Sequence, residues 1–189
     1  MCCGPCCAKK DCDCRAALAR VLSPLQTWLA TLQTLLAQAD ASVTATATAD
    51  PVAQSLMSVP GVGPVIALTY RAVLDTPARF GNDPGRASAF LGLVPSEYSS
   101  GDQQRRGHVT KRGPRELRAL LVQASWVVWR ARSAASAPLR AWAQALAERR
   151  GRRIAIVALA RRLSRILLAV WRDATDFTPG SPVREGVVR

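Results

Sequence analysis

The sequence predicts a mainly α-helical protein, and three observations carry that prediction. Apolar side chains recur at steps of three and four over long stretches, the spacing that places them on one face of a helix. Prolines stand where helices would start, at Pro64, Pro114 and Pro138, and glycines where they would end, at Gly92 and Gly151. At 189 residues and 49% hydrophobic content, the chain is long enough for one core of ordinary size, while two full domains would be a squeeze.

All six cysteines (Cys2, Cys3, Cys6, Cys7, Cys12 and Cys14) fall within residues 1–14, which read as a cysteine-rich, disordered leader. The rest of the chain is cysteine-free, compatible with a reducing cytoplasm. The cluster could bind a soft metal, but zinc sites usually draw their ligands from separated knuckles. Residues 15–50 read as a coiled-coil-like helix and linker. Leu18, Val21, Leu22, Leu25, Leu29, Leu32, Leu35 and Leu36 form an amphipathic stripe that seeks a partner helix, so a homo-oligomer through residues 18–40 is expected. Pro24 either starts that helix, capped by Ser23, or kinks it. The small residues from Ala41 to Asp50 lack helical periodicity and read as the linker, with a soft boundary near Asp50.

From Pro51 the texture changes. The run Leu56-Met57-Ser58-Val59-Pro60-Gly61-Val62-Gly63-Pro64-Val65-Ile66-Ala67-Leu68 reads as a helix-hairpin-helix, with two glycines for the tight turn and Pro64 in the first turn of the second helix. Backbone N–H groups at such a helix start suit a phosphate oxygen, which makes Gly61, Val62 and Gly63 candidate nucleic-acid contacts. The other reading is a purely structural packing corner. Residues 75–85 read as a turn-rich connector and 86–91 as a short helix. Residues 93–118 follow, irregular or a short hairpin, punctuated by Pro95, Gly101 and Gly107. Helices are then expected from Pro114 to about Ser133, from Pro138 to Gly151, and from Arg153 to Arg172. The last would bury Ile154, Val157, Ala158, Leu163, Ile166, Leu167 and Val170. Arg161, Arg162, Arg165 and Arg172 interrupt that stripe and exclude a membrane span. The five tryptophans sit mostly at helical spacing and read as core. Residues 179–189 read as a disordered tail.

The formal charge is +13 and the sequence pI about 10.9, the electrostatic footprint of a partner that carries phosphates. The charge is concentrated. Residues 101–172 hold 17 Lys and Arg against Asp102, Glu116 and Glu148, leaving the rest near neutral. Arginine predominates, and its planar fork suits bidentate phosphate contacts. An anionic membrane surface and plainly solvated helix faces are the rival explanations.

Chemistry concentrates in residues 93–118. A serine attacks a phosphodiester when cations beside it stabilise the charge developing at phosphorus. Ser99 and Ser100 precede Gly101 and are followed by Arg105, Arg106, His108, Lys111, Arg112, Arg115 and Arg118. On residue types alone, the segment reads first as a phosphate-binding loop, with catalysis the lesser alternative. His108, the sole histidine, suits acid–base work or a plain phosphate contact. Asp75, Asp83, Glu97, Asp102 and Glu116 are scattered, and no metal site is expected from them.

Several of these segments together resemble a known family: Val-Pro-Gly-Val-Gly-Pro-Val at 59–65, Arg-Phe-Gly at 79–81, Phe-Leu-Gly-Leu-Val-Pro at 90–95, Ser-Ser-Gly at 99–101, Arg-Arg-Gly-His-Val-Thr-Lys-Arg-Gly at 105–113 and Ile-Ala-Ile-Val-Ala-Leu-Ala-Arg-Arg-Leu at 154–163. In order and spacing they are similar to the C-terminal half of insertion-sequence transposases of the DEDD class, the bridge-RNA-guided recombinases. The resemblance covers about residues 18–177. It implies that residues 51–178 are the transposase C-terminal DNA-binding domain and that residues 18–40 are part of a coiled-coil connector. It also places the family's nucleophile on Ser100, with Ser99 the less favoured neighbour. Implied partners are DNA and a guide RNA, and no membrane. The family's four acidic metal ligands belong to a resolvase-like N-terminal domain for which there is no room before residue 18. The chain is therefore expected to be incomplete as an enzyme, with no cofactor of its own and Mg2+ entering only through that domain. The alternative is a non-catalytic module that holds a DNA or RNA backbone.

Overall fold

The computed structural model describes the backbone of residues 6–98, 100 and 106–179, and the side chains of these apart from residues 6–17 and Arg106. The described residues are mainly helical, as expected, with seven α-helices and one two-stranded sheet. They divide into two units, residues up to Ala45 and residues from Thr46 onward.

The first unit is formed by helix α1, Cys6–Ala49, as far as Ala45. Residues 6–14 therefore have helical backbone instead of the expected disorder, because the Ala- and Leu-rich sequence that follows propagates a helix backward at little cost per residue. Pro24 neither starts nor breaks α1. Its missing N–H leaves the Arg20 carbonyl without the usual donor, and Ser23 Oγ donates to that carbonyl at 3.3 Å. Thr27, Thr31 and Thr34 turn their hydroxyls back to the carbonyls four residues earlier, at 2.9–3.0 Å, so these polar groups are satisfied within the helix. The leucine stripe is exposed along its length, from 41% at Leu22 to 63% at Leu36.

The expected linker at 41–50 is also helical, up to Ala49. Alternating alanines raise helix preference there, and Ala47 is buried in the core of the second unit. Asp50 then ends α1 and caps α2, Pro51–Met57, by accepting from the Val52 N–H at 3.1 Å. The Arg71 guanidinium donates to the same carboxylate.

The rest of the second unit comprises α3 (Pro64–Leu74), a 3-10 turn (Pro77–Phe80), α4 (Pro84–Phe90), strands β1 (Pro95–Glu97) and β2 (Arg106–Val109), α5 (Arg115–Arg130), α6 (Ala137–Arg150) and α7 (Arg152–Asp173). The structure organises this unit around α7, which packs against α2, α4, α5, α6 and the 3-10 turn. Because several neighbours surround it, α7 buries much more than a stripe. Ala155, Ile156, Leu159, Ala160, Leu163, Ile166, Leu167, Leu168 and Val170 are inside, whereas Ile154 is exposed and Val157 and Ala158 are only half-buried. Three members of the expected stripe thus lie outside the core. Each fully buried leucine contributes about 1.5–3 kcal/mol over leaving it in water. The polar exceptions are paired: Tyr70 Oη donates to the Ser164 carbonyl at 2.7 Å, and the Ser88 and Ser164 hydroxyls lie 2.8 Å apart. Burial pushes the Tyr70 phenol well above its ordinary pKa.

One junction locks the end of α4 to the segment leaving β2. Gly92 has φ 66° and Gly113 φ 106°, conformations that side chains rarely adopt. A Cβ at Gly92 would collide with the backbone of Arg112, and one at Gly113 with the Phe90 carbonyl. The two backbones are held by Thr110 N–H to the Val94 carbonyl at 2.9 Å and Lys111 N–H to the Gly92 carbonyl at 3.1 Å. These glycines are therefore structural requirements.

Candidate nucleic-acid interface

Above that junction β1 and β2 form a short antiparallel hairpin, pairing Pro95 with Val109 and Glu97 with Arg106 across an irregular register. Ser96 Oγ donates to the His108 carbonyl at 3.0 Å and ties the strands together. Ser100, two residues beyond Tyr98, is exposed. Tyr98 is itself 75% exposed, so this end of the hairpin stands away from the core. Ser99, Arg105 and the connecting residues 101–104 lie outside the described residues, and of Arg106 only the backbone is described.

The remaining candidates fall into three settings. His108, Lys111, Arg112 and Arg115 are exposed, running from β2 through the junction to the first turn of α5. Lys111 takes a left-handed backbone, φ 55°, which turns the chain from β2 toward α5. Arg118 is different: it is half-buried, and its Nη1 donates at 3.1 Å to the carbonyl of Leu91, the residue that ends α4.

The third setting is the turn between α2 and α3. Val62 is buried, and the N–H of Val62 donates to the Val59 carbonyl at 3.1 Å. Gly61 lies against α5, where a Cβ would come within 2.8 Å of the Ala124 carbonyl and 2.9 Å of Val128. Gly63 faces open space and caps α3 without any side-chain hydrogen bond. One side of the turn is therefore a packing corner on α5, and the other presents the start of α3.

A groove of about 430 Å3 runs between the hairpin and α7. Leu93, Pro95 and Val109 line it from the hairpin side, and Ile154, Val157 and Ala158 from α7. Its polar lining is Gly107, His108, Arg153 and Arg161. From the sequence, Arg161 counts among the interruptions of a buried stripe and Arg153 has no assigned role. The available signal was their spacing, since Arg153, Val157 and Arg161 are four residues apart and share one helix face.

Other arginines cover aromatic rings. Arg79 lies 4.9 Å from the Phe90 ring centroid, Arg162 lies 4.7 Å from that of Trp142, and Arg130 and Arg152 each lie 5.6 Å from that of Trp126. The tryptophans are correspondingly not core residues. Trp28 and Trp142 are exposed, while Trp126, Trp129 and Trp171 are half-buried. Indoles are too large to sink fully into a core built from leucine and alanine, and Trp129 and Trp171 pack against its edge instead.

Among the described residues, no three His, Cys, Asp or Glu side chains come together to hold a metal ion, and no helix is long and apolar enough to cross a membrane.

Residues 53–140 match the family described as Transposase IS116/IS110/IS902 family. The chain is 34% identical over 166 residues to a probable family 20 transposase of Pseudomonas aeruginosa, covering 87% of this chain and 48% of that protein. It is 33% identical over 162 residues to the transposase for insertion sequence element IS1111A of Coxiella burnetii, covering 86% and 44%. A third relative, the transposase for insertion sequence element IS1328 of Yersinia enterocolitica, is 32% identical over 131 residues, covering 68% and 38%. The chain thus spans about half the length, or less, of these relatives.

Proposed function

We propose that the chain is the DNA-binding, serine-bearing C-terminal part of an insertion-sequence transposase. The observation that supports this most is a coincidence of place: the exposed serine, His108 and the exposed cations Lys111, Arg112 and Arg115 occupy one segment, inside the span that matches transposases. In this reading the cations engage DNA phosphates and Ser100 supplies the nucleophile. Its Oγ forms a bond to a phosphodiester phosphorus, the bond from phosphorus to one sugar oxygen breaks, and the freed sugar oxygen takes up a proton while the serine loses its own. The number of phosphodiester-type bonds is conserved, so a second sugar hydroxyl can reverse the step on another strand. Exposed guanidinium and ammonium groups stabilise the charge that builds on the non-bridging oxygens. The turn at Gly61, Val62 and Gly63 is assigned a positioning role, with the start of α3 toward the DNA backbone and Gly61 anchored on α5.

Mg2+ would assist by polarising the phosphate. The described residues do not assemble a donor set for it, so no step is routed through the metal. A guide RNA and carboxylate metal ligands belong to the same proposal, as partners supplied beyond these residues. Pairing of α1 stripes between two copies would bring two serines to two strands, and would cover leucines that are more than 40% exposed in the single chain.

The test is to mix the purified chain with a longer transposase of the same type, duplex DNA and guide RNA, then look on a denaturing gel for DNA covalently joined to this chain. The expected adduct disappears with Ser100→Ala and persists with Ser96→Ala. Tight, salt-sensitive binding without any adduct would instead identify a backbone-holding module.

A further inference from the structure

We propose that the groove between β2 and α7 receives an unstacked nucleobase from the DNA strand that Ser100 engages. This inference rests on the reading of the chain as a DNA-binding domain and assigns the groove a ligand within it. The groove's volume, about 430 Å3, lies within the range of about 300–1,000 Å3 typical of small-ligand sites. Its lining combines two chemistries. Val109, Val157 and Ala158 offer an aliphatic surface, and Ile154 is 57% exposed between two cationic neighbours on the same helix, Arg153 and Arg161. His108 adds a third potential phosphate contact from the opposite wall. No carboxylate is among the described lining residues. An acidic peptide would pair with the exposed Arg153 and leave the aliphatic surface wet, and an apolar helix would cover that surface and bury Arg153. A nucleotide satisfies both, because an apolar ring face and an anionic phosphate lie within one unit.

Position favours the same ligand. β2 forms one wall of the groove and carries the chain back from the segment containing Ser100, so in this proposal a strand engaged at the exposed end of the hairpin continues along β2 to the groove. Extruding a base costs a few kcal/mol, and burying its faces against aliphatic side chains offsets part of that cost. The flanking phosphates meet Arg153 and His108.

The experiment compares the full chain's affinity for a short single-stranded oligodeoxynucleotide with its affinity for an abasic oligomer of the same length and phosphate count, by fluorescence anisotropy. The base-bearing strand is expected to bind about tenfold tighter. Ala158→Phe, which fills the groove, should bring that ratio close to one. Ile154→Asp, at an exposed position that tolerates substitution without unfolding, should lower it as well. Equal affinity for the two oligomers, or a ratio unmoved by both variants, overturns the groove assignment while leaving DNA binding intact. A ratio unmoved while Ala158→Phe changes the oligomeric mass would identify a second copy of the chain as the occupant, and also overturns it. Failure to bind either oligomer at low salt contradicts the DNA-binding reading itself, and the groove assignment with it.

Discussion

Residues 90–95 and 110–118 share a texture with residues 97–108, rich in glycine, arginine and small polar side chains, but they do opposite work. In the first pair the glycines allow two backbones to touch, at Gly92 against Arg112 and Gly113 against Phe90, and Arg118 spends its charge on the Leu91 carbonyl. In the second, Tyr98, Ser100 and His108 are turned out to water, and the strands are joined by their backbone pairing and a hydrogen bond from Ser96. A motif of this kind mixes residues that build a platform with residues that stand on it. Stability and chemistry should therefore separate cleanly on substitution.

Gly113→Ala should have the largest effect. The positive φ and the collision with Phe90 together predict a loss of about 3–5 kcal/mol, read as a fall in Tm of roughly 10 °C. A change below about 1 kcal/mol would mean that the junction is looser than described. Arg118→Ala comes next, at about 1–2 kcal/mol, because the Leu91 carbonyl loses its charged donor. Urea titration measures this, and the salt dependence of DNA binding should not change; a flattened salt slope would move Arg118 to the phosphate-facing group. Tyr70→Phe should cost about 1 kcal/mol through the bond to Ser164. The sign of the pH dependence follows from burial. The neutral phenol is favoured in the folded state, so its contribution is complete below the ordinary tyrosine pKa of about 10 and is lost progressively as pH rises above it. Denaturation at increasing pH should show wild type approaching Tyr70→Phe. Arg112→Ala is expected to leave stability within about 0.5 kcal/mol while reducing the slope of log affinity against log salt by about one.

The same division explains what could be read from the sequence. Helix starts at Pro64, Pro114 and Pro138 were legible because proline's missing N–H confines it to a first turn or its approach; Pro114 proves to be the residue just before α5, and Pro138 the second residue of α6. Periodicity found both α1 and α7 without distinguishing their fates. One is exposed along its leucines and the other is enclosed by neighbours, a difference that only the tertiary contacts decide. Residues 41–49 looked like a linker because their own preferences are weak, yet Ala47 gains a place in the core. Arg118 could not be told from Arg112 or Arg115, since identical side chains three to six residues apart point to different surroundings on entering a helix. The groove was hidden for a related reason: Leu93, His108 and Arg161 are far apart in sequence and meet only through the fold. Within the candidate site, the serine pair and the run of cations were visible at once, because polar residues clustered outside any periodic stretch have no core to fill.

The most direct measurement is to locate the bond itself. After reaction with DNA in the presence of a longer transposase, nuclease trimming and trypsin, the peptide spanning residues 87–105 is fragmented in a mass spectrometer. The expected result is a nucleotide remnant on Ser100, absent from the Ser100→Ala chain. A remnant on Ser99, Ser96 or Tyr98, or one that survives the substitution, would contradict the assignment of the nucleophile.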